Sequence, residues 1–300
     1  MSVAAVVVSF NRLSLLKKCL AALEHQSHRL DEVIVVDNGS SDGSSNFVRE
    51  AYPNFTLFET GKNLGGAGGF AWGLELAMAK GHDFAWIMDD DAEPMPDSLA
   101  PLMAVMDGAG SAAPSFAWSL IEDFDGELNP GHLPKISKDP ASQLAASGLG
   151  AIAVEQATFV GLLINLKVAR ETALPYEDFF IWFDDAEYTS RLSKRQFGVL
   201  VPQSVVMHPV AAAGSPDMGR RLFYYVRNGL WTTRLRPIRG TILDTLPVQV
   251  LATLMTCLRQ LPHAADKRLW VSSVGRGLWQ GLTRLPSRKM PGEKLAARPA

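Results

Sequence analysis

Cysteine is almost absent from this 300-residue chain: Cys19 and Cys257 are the two present. Neither stands in a CxxC pair or near a histidine at metal-ligand spacing. A disulfide framework and a thiolate zinc site are therefore excluded, and the pair reads as reduced thiols of a cytosolic protein. Long apolar runs are missing too. No window reaches the roughly 18 uninterrupted apolar residues of a membrane-spanning helix. The nearest, "TILDTLPVQVLATLMTCL", is broken by Asp244, Pro247 and Gln249. A basic leader is also lacking, so "MSVAAVVVSFNR" reads as a first strand rather than an export signal. Basic residues are scarce over most of the chain. Residues 1–218 carry 14 Lys and Arg against 28 Asp and Glu, a net charge of −14. Residues 219–300 carry 15 against 3, a net +12. The acidic body argues against nucleic acid as a partner, and the basic end suits phosphate groups or an anionic membrane surface.

What is present is an ordinary globular composition, 47% hydrophobic and 20% charged, enough for one large α/β domain or a domain with an appendage. "VAAVVVSF", "DEVIVVDNGS", "FTLFET" and "FAWIM" read as strands. "RLSLLKKCLAALEHQ", "SSNFVREAY" and "GFAWGLELAMAKG" lie between them as helices. The βαβαβαβ order predicts a mostly parallel sheet with helices on both faces. Residues 108–150 read as a strand plus mobile loops. Further strands are expected in "ATFVGLLINLKVA" and "GVLVPQSVVMHPV", a helix after "DFFIWFDD", and helices from Arg220 onward. No internal repeat is found.

Ligands bind outside the carboxyl ends of parallel strands. Ser9, Asn11 and Arg12 follow the first strand; Asp37, Asn38, Ser40 and Asp42 the second; "GKNLGGAGG" the third; Asp89, Asp90 and Asp91 the fourth. Three adjacent carboxylates cannot all ionise cheaply unless a cation neutralises them. Hard oxygen ligands suit Mg²⁺ or Mn²⁺, which keep open positions for phosphates. A solvated acidic turn is the alternative reading. Gly66, Gly68 and Ala71 fit the letters of a dinucleotide fingerprint, but after the third strand rather than the first. These glycines read instead as a place where backbone approaches a ligand closely. A second acid group, Asp184, Asp185 and Glu187, follows aromatic residues at a helix start. It reads either as a general base in a partly apolar pocket or as a capped helix over core aromatics. His208, at a strand end before Pro209, reads by itself as a structural histidine.

Together "VVVSFNR", "VIVVDNGSSDGS", "NLGGAGGF", "WIMDDDAEP", "FFIWFDDAEYTSRL" and "VMHP" resemble, in order and spacing, the family 2 glycosyltransferases. The resemblance spans about residues 3–235, and the motif forms look most like the galactofuranosyltransferases of that family. It implies a GT-A fold: a Rossmann-like, mixed, mostly parallel sheet with flanking helices, here with a C-terminal helical extension. Residues 1–218 would be the catalytic domain and 219–300 a basic helical segment. The resemblance implies that Asp89, Asp91 and His208 hold a divalent metal, Mn²⁺ or Mg²⁺. Ser9, Asn11, Arg12, Asp37 and Asn63 would line the uridine pocket, and Asp90 would face ribose or donor sugar. Asp185 would be the catalytic base, with Trp182 and Asp184 beside it at the acceptor. Arg220 and Arg221, in the loop "GSPDMGRR", would meet the diphosphate.

The implied reaction is inverting transfer of galactofuranose from UDP-galactofuranose to a polyprenyl-diphosphate-linked GlcNAc–rhamnose acceptor, placing the first galactan residues of cell-wall arabinogalactan. A rhamnosyltransferase or another hexosyltransferase of the same family is the nearer alternative, and a non-catalytic sugar-nucleotide-binding protein the more distant one. A peripheral place on the inner face of the plasma membrane would bring the enzyme to its acceptor. The segment "DKRLWVSSVGRGLWQGLTRLPSRK" interleaves Trp270, Val274, Leu278 and Leu282 with Arg268, Arg276 and Arg284, which predicts an amphipathic helix lying on an anionic membrane. A packing helix or an oligomer contact is the alternative.

Overall fold

A computed structural model describes residues 1–210, 217–235 and 246–297. The chain forms two compact units. The first holds residues 1–177, 185–210 and the chain from Arg288. The second holds Asp178–Asp184 and the described part of 211–287.

The first unit begins with β1 (Val3–Ser9), α1 (Leu13–Glu24), β2 (Glu32–Asp37), α2 (Ser44–Ala51), β3 (Thr56–Glu59), α3 (Gly65–Ala79) and β4 (Phe84–Asp89). There follow β5 (Glu93–Pro94), α4 (Leu99–Gly108), β6 (Phe116–Glu122), β7 (Lys135–Ile136), α5 (Pro140–Gly148), β8 (Ile152–Gln156), β9 (Leu162–Asn165), α6 (Leu166–Ala169), α7 (Asp184–Ser193) and β10 (Gly198–Met207). One sheet runs β3-β2-β1-β4-β9-β6-β10-β8-β7, with β5 paired to β10. Its β1–β4 half is parallel, β6 pairs β10 in parallel, and β9 is inserted antiparallel between β4 and β6. All seven residues of β1 are buried, as a strand covered by helices on both faces requires. Because β1, β2 and β4 are parallel, Ser9, Asp37 and Asp89 finish at one edge of the sheet.

One glycine of the cluster, Gly69, has a packing reason, which it shares with Gly73. Helix α3 begins at Gly65, inside the cluster, and packs against β1 and β2. A Cβ on Gly69 would lie 2.4 Å from Val8 Cγ1, and one on Gly73 2.2 Å from Val6 Cγ1. The two glycines, one helical turn apart, let the helix close onto the sheet. Gly73→Ala is expected to destabilise the protein by about 1–3 kcal/mol, the usual cost of overpacking. Unfolding in urea reads it, and an unchanged midpoint would contradict the tight contact.

The stretch expected to be strand and mobile loops contains a helix. Asp139 accepts from the Ser142 amide, and Pro140 occupies the first turn of α5. That pairing is a helix-start signal. The chain also returns to the first unit after Arg288. Buried Glu75 of α3 accepts from the Gly292 and Leu295 amides at α11 (Glu293–Ala296), while buried Lys294 pairs with Glu177 and lies 4.2 Å from the Trp72 ring centroid.

The second unit is helical, with α8 (Leu222–Leu235), α9 (Leu246–Gln260) and α10 (Lys267–Thr283). Leu222, Val226, Cys257 and Val274 form its core, with Met218, Tyr225, Trp270 and Leu278 packed on it. Ser273, Gly277 and Gly281 present a small-residue stripe to α8: a Cβ on Gly277 would meet Val226 at 2.8 Å. This corrects the expected membrane face of α10. Trp270, Val274 and Leu278 are used in packing, and Arg276 lies over the Phe223 ring at 5.1 Å. Leu282 of the expected stripe is exposed, and the other exposed apolar side chains are Val271 and Trp279, with Leu251, Met255 and Leu258 on α9. Asp244 and residues 214–216 of "GSPDMGRR" lie outside the described residues. No described helix is long and apolar enough to cross a membrane.

Candidate active site

The three aspartates at the end of β4 have different surroundings. Asp90 is buried, and its Oδ2 accepts from Ser9 Oγ (3.0 Å) and the Phe10 amide (3.1 Å). Burial raises its carboxyl to about 6, with the Phe10 amide and Arg12 opposing. Arg12 Nη1 lies 3.4 Å from Asp90 Oδ1 and 2.5 Å from Asp91 Oδ2. Burial would also raise Asp91, but His208 and Arg12 outweigh it and hold this carboxyl below its usual range. Asp89 and Asp91 are brought to His208: one ligand atom from each lies within 4.8 Å of the others.

The geometry of His208 supports a cation here. Its Nδ1 is 3.0 Å from the Pro209 carbonyl, which can only accept, so Nδ1 carries the hydrogen. In the neutral ring Nε2 therefore presents its lone pair. It does so 3.1 Å from buried Asp91 Oδ1, an atom with no hydrogen-bond partner. A positive centre belongs between them, either a proton on Nε2, which makes an ion pair with Asp91, or a cation held by both atoms. Two carboxylates and an imidazole make a donor set that suits Mn²⁺ or Mg²⁺. Two further residues, invisible in the sequence motifs, hold this histidine. Asn129 Nδ2 donates to the His208 carbonyl at 2.9 Å. The His132 ring meets the His208 ring edge-on at 4.7 Å, while its Nδ1 is 2.8 Å from Thr158 Oγ1. Burial and His208 push His132 down to about 4, against Asp91, so it stays neutral. The "NPGH" turn (129–132) lies almost eighty residues before His208, and spacing gives no sign of the pairing.

The end of β2 offers acceptors. Asp37 Oδ2 receives the Ser40 amide (3.1 Å) and Ser45 Oγ (2.9 Å), while Asp37 Oδ1 and Asn38 Oδ1 are buried without partners. Buried oxygens of this kind normally have a donor, and a nucleobase N–H is a donor of the right chemistry. Asn11, at φ 52°, ties the two loops together: its Oδ1 accepts from the Ser41 amide at 2.7 Å, and its own amide donates to Ser40 Oγ. Asn63 is exposed, and its side chain accepts from the Gly65 amide at the start of α3.

Asp185 is the second residue of α7 and belongs to the first unit. It is partly buried, and burial raises its carboxyl to about 6, with the Ala186 amide opposing at 2.6 Å. Its neighbours separate by role. Glu187 is buried in a two-oxygen pairing with Arg191 (2.8 and 3.0 Å), and Arg191 also donates to the Leu174 carbonyl. Glu187 is thus structural. Asp184 is buried. Trp182, Arg220 and Arg221 belong to the second unit, where the Arg221 guanidinium lies 5.6 Å from the Trp182 ring centroid.

The model of glycosyl transferase family 2 matches residues 4–163, which include the acid cluster and the loops after β1 and β2. The chain belongs to this family. It is 30% identical over 247 residues to galactofuranosyltransferase GlfT1 of Mycobacterium tuberculosis, an alignment covering 76% of this chain and 81% of that one. It is 24% identical over 289 residues to the N-acetylglucosaminyl-diphospho-decaprenol L-rhamnosyltransferase of the same organism, covering 79% and 89%. Solved structures of the family's fold include S. aureus TarS, at TM-score 0.62 and 12% identity over 94% of this chain and 81% of that one. A Pyrobaculum calidifontis mannosyltransferase in complex with GDP-Man and Mn²⁺ matches at TM-score 0.55 and 18% identity, over 98% and 78%. These neighbours establish the GT-A fold, as the motifs implied, and the chain is a family 2 glycosyltransferase.

Proposed function

We propose that this glycosyltransferase transfers galactofuranose, with inversion, from UDP-galactofuranose to a polyprenyl-diphosphate-linked GlcNAc–rhamnose acceptor. The observation that carries the reading is the 30% identity to a galactofuranosyltransferase over most of both chains. Asp89, Asp91 and His208 would hold Mn²⁺ or Mg²⁺, whose charge, when bound, makes a diphosphate a better leaving group. Ser9, Asn11, Arg12, Asp37, Asn63 and Asp90 serve the nucleotide-sugar, with Arg220 and Arg221 toward its diphosphate. Asp185 takes the proton of the acceptor hydroxyl as that oxygen bonds to the anomeric carbon. The bond from that carbon to the diphosphate oxygen breaks, UDP departs with the electron pair, and the configuration inverts. Trp182 and Asp184 orient the acceptor. A carboxyl raised to about 6 is ionised at neutral pH yet basic enough to share a proton.

The rhamnosyltransferase relative keeps a second reading open, in which the donor is dTDP-rhamnose. The wild-type protein with Mn²⁺ and a lipid-linked rhamnosyl–GlcNAc acceptor separates them. UDP-galactofuranose is expected to give the highest kcat/KM among it, UDP-galactopyranose, UDP-glucose and dTDP-rhamnose. Preferred turnover of dTDP-rhamnose would move the assignment to the second reading. Binding of UDP without turnover of any donor would favour a non-catalytic role.

A lipid-linked acceptor calls for work at the inner membrane face. The exposed apolar residues Leu251, Met255, Leu258, Val271, Trp279 and Leu282, on a segment with net charge +12, fit peripheral attachment to anionic lipid. Changing Trp279 and Leu282 to Glu should release the protein from phosphatidylglycerol vesicles. Unchanged sedimentation with vesicles would refute attachment through α10.

A further inference from the structure

The segment from Phe179 to Phe183 departs from what its sequence favours. Phe180, Trp182 and Phe183 have φ of 64°, 65° and 67°, the left-handed region that side chains with a Cβ avoid. Bulky aromatic residues adopt it three times in four positions, immediately before Asp184 and Asp185. Something must hold the backbone there. That group lies within the same unit, on α8. Asn228 is fully buried, and its amide nitrogen lies 2.8 Å from the carbonyl of Phe179, 2.8 Å from that of Ile181 and 3.1 Å from that of Trp182.

The orientation of this amide is determined. Arg227 Nε, which can only donate, sits 3.0 Å from Asn228 Oδ1, so the nitrogen must face the three carbonyls. Arg227 itself donates to the Asp178 carbonyl and is buried against the Trp231 ring at 4.1 Å. Two consecutive side chains of α8 thus take the carbonyls of the left-handed turn, and its rings pack on tyrosines of the same helix. Phe180 stacks on Tyr224 at 5.0 Å and 17°, and Trp182 meets Tyr225 edge-on at 6.3 Å.

We infer that Asn228 is a positioning residue: by binding three convergent carbonyls it holds residues 179–183 in the left-handed form that presents Trp182 and leads the chain into Asp185. The inference rests on the reading of Asp185 and Trp182 given above. Asn228 touches neither donor nor acceptor; it acts through the loop.

The test is Asn228→Asp in the full-length protein. The replacement keeps the shape and the acceptor for Arg227 but removes both donated hydrogens. Displacing reacting groups by about 1 Å costs about 100-fold in rate, so kcat should fall by that order. The KM for UDP-galactofuranose and the Kd for UDP should stay within about twofold, because groups that bind the donor are unaltered. Amide hydrogen exchange should quicken in 179–184 and not in β1–β4. Asn228→Ala, which also removes the oxygen, provides a second variant should the aspartate fail to fold, with the same split expected. A kcat within about threefold of wild type, or a loss of UDP affinity in step with a fall in melting temperature, would overturn the inference. Asp185→Asn is measured in parallel. If that variant transfers normally, the base assignment fails, while the split between kcat and donor binding in the Asn228 variant still reports on the loop.

Discussion

Replacing Asp185 with asparagine is expected to lower the transfer rate by about 10³-fold, within the range that a general base supplies, while UDP affinity stays near that of the wild type. The side chain keeps its shape and loses its capacity to accept a proton. The pH dependence carries the same signature. In the folded protein this carboxyl is raised to about 6 by burial, above the roughly 3.9 of an unperturbed aspartate. In the wild type kcat/KM should therefore decline as pH falls through about 6; buried Asp90 titrates in the same range, so the residual activity of the variant should show a shallower decline there than the wild type. The sign for stability is opposite. A carboxyl whose folded pKa is raised favours the folded state fully only at pH values below its unfolded pKa. That contribution is lost as pH rises through about 6. Above that pH the asparagine variant should be at least as stable as the wild type. A variant that lost both activity and UDP binding would show that Asp185 supports the donor site and is not the base.

Removing a ligand of the acid cluster should have a comparable effect on rate and a different effect on binding. Asp91→Ala is expected to abolish the rise in melting temperature that Mn²⁺ gives the wild type, and to lower transfer by about 10²–10⁴-fold, the worth of several kcal/mol of charge stabilisation. Asp91 is the member that contacts both His208 and Arg12, so its loss removes one proposed metal ligand and leaves the guanidinium with Asp90. Without metal, the variant should be less stable at neutral pH, because a carboxyl held below its usual range by His208 and Arg12 stabilises the folded state when ionised. Retained Mn²⁺ binding in Asp91→Ala would contradict the assignment of the cluster. Asp185→Asn should leave the Mn²⁺ effect intact, which separates the two acid groups.

The parts of this molecule legible in the sequence are those in which one residue pattern has one physical cause. Strands β1 and β2 are covered on both faces, so their apolar runs are continuous. The acid triplet breaks off at a strand end, and two of its members meet His208 there. The glycines of α3 were ambiguous, since close approach to a ligand and close approach to Val6 and Val8 make the same demand for a missing Cβ. The stripe of Trp270, Val274 and Leu278 was ambiguous in the same way: a helix face that packs on α8 and one that lies on lipid have the same period. Asn129, His132 and Asn228 were invisible for another reason. Each acts on residues some fifty to eighty positions away, through contacts that leave no local spacing. Three left-handed aromatic residues contradict local propensity altogether, and such contradictions belong where the surrounding structure overrides them.

The most direct test of the account is the mass of the product formed from UDP-galactofuranose and a lipid-linked rhamnosyl–GlcNAc acceptor, with Mn²⁺ and with EDTA. The account predicts a gain of one or two hexose residues with the metal and none with the chelator. Equal transfer in EDTA would contradict a metal at Asp89, Asp91 and His208. An acceptor that gains no sugar from this donor under either condition would contradict the proposed function.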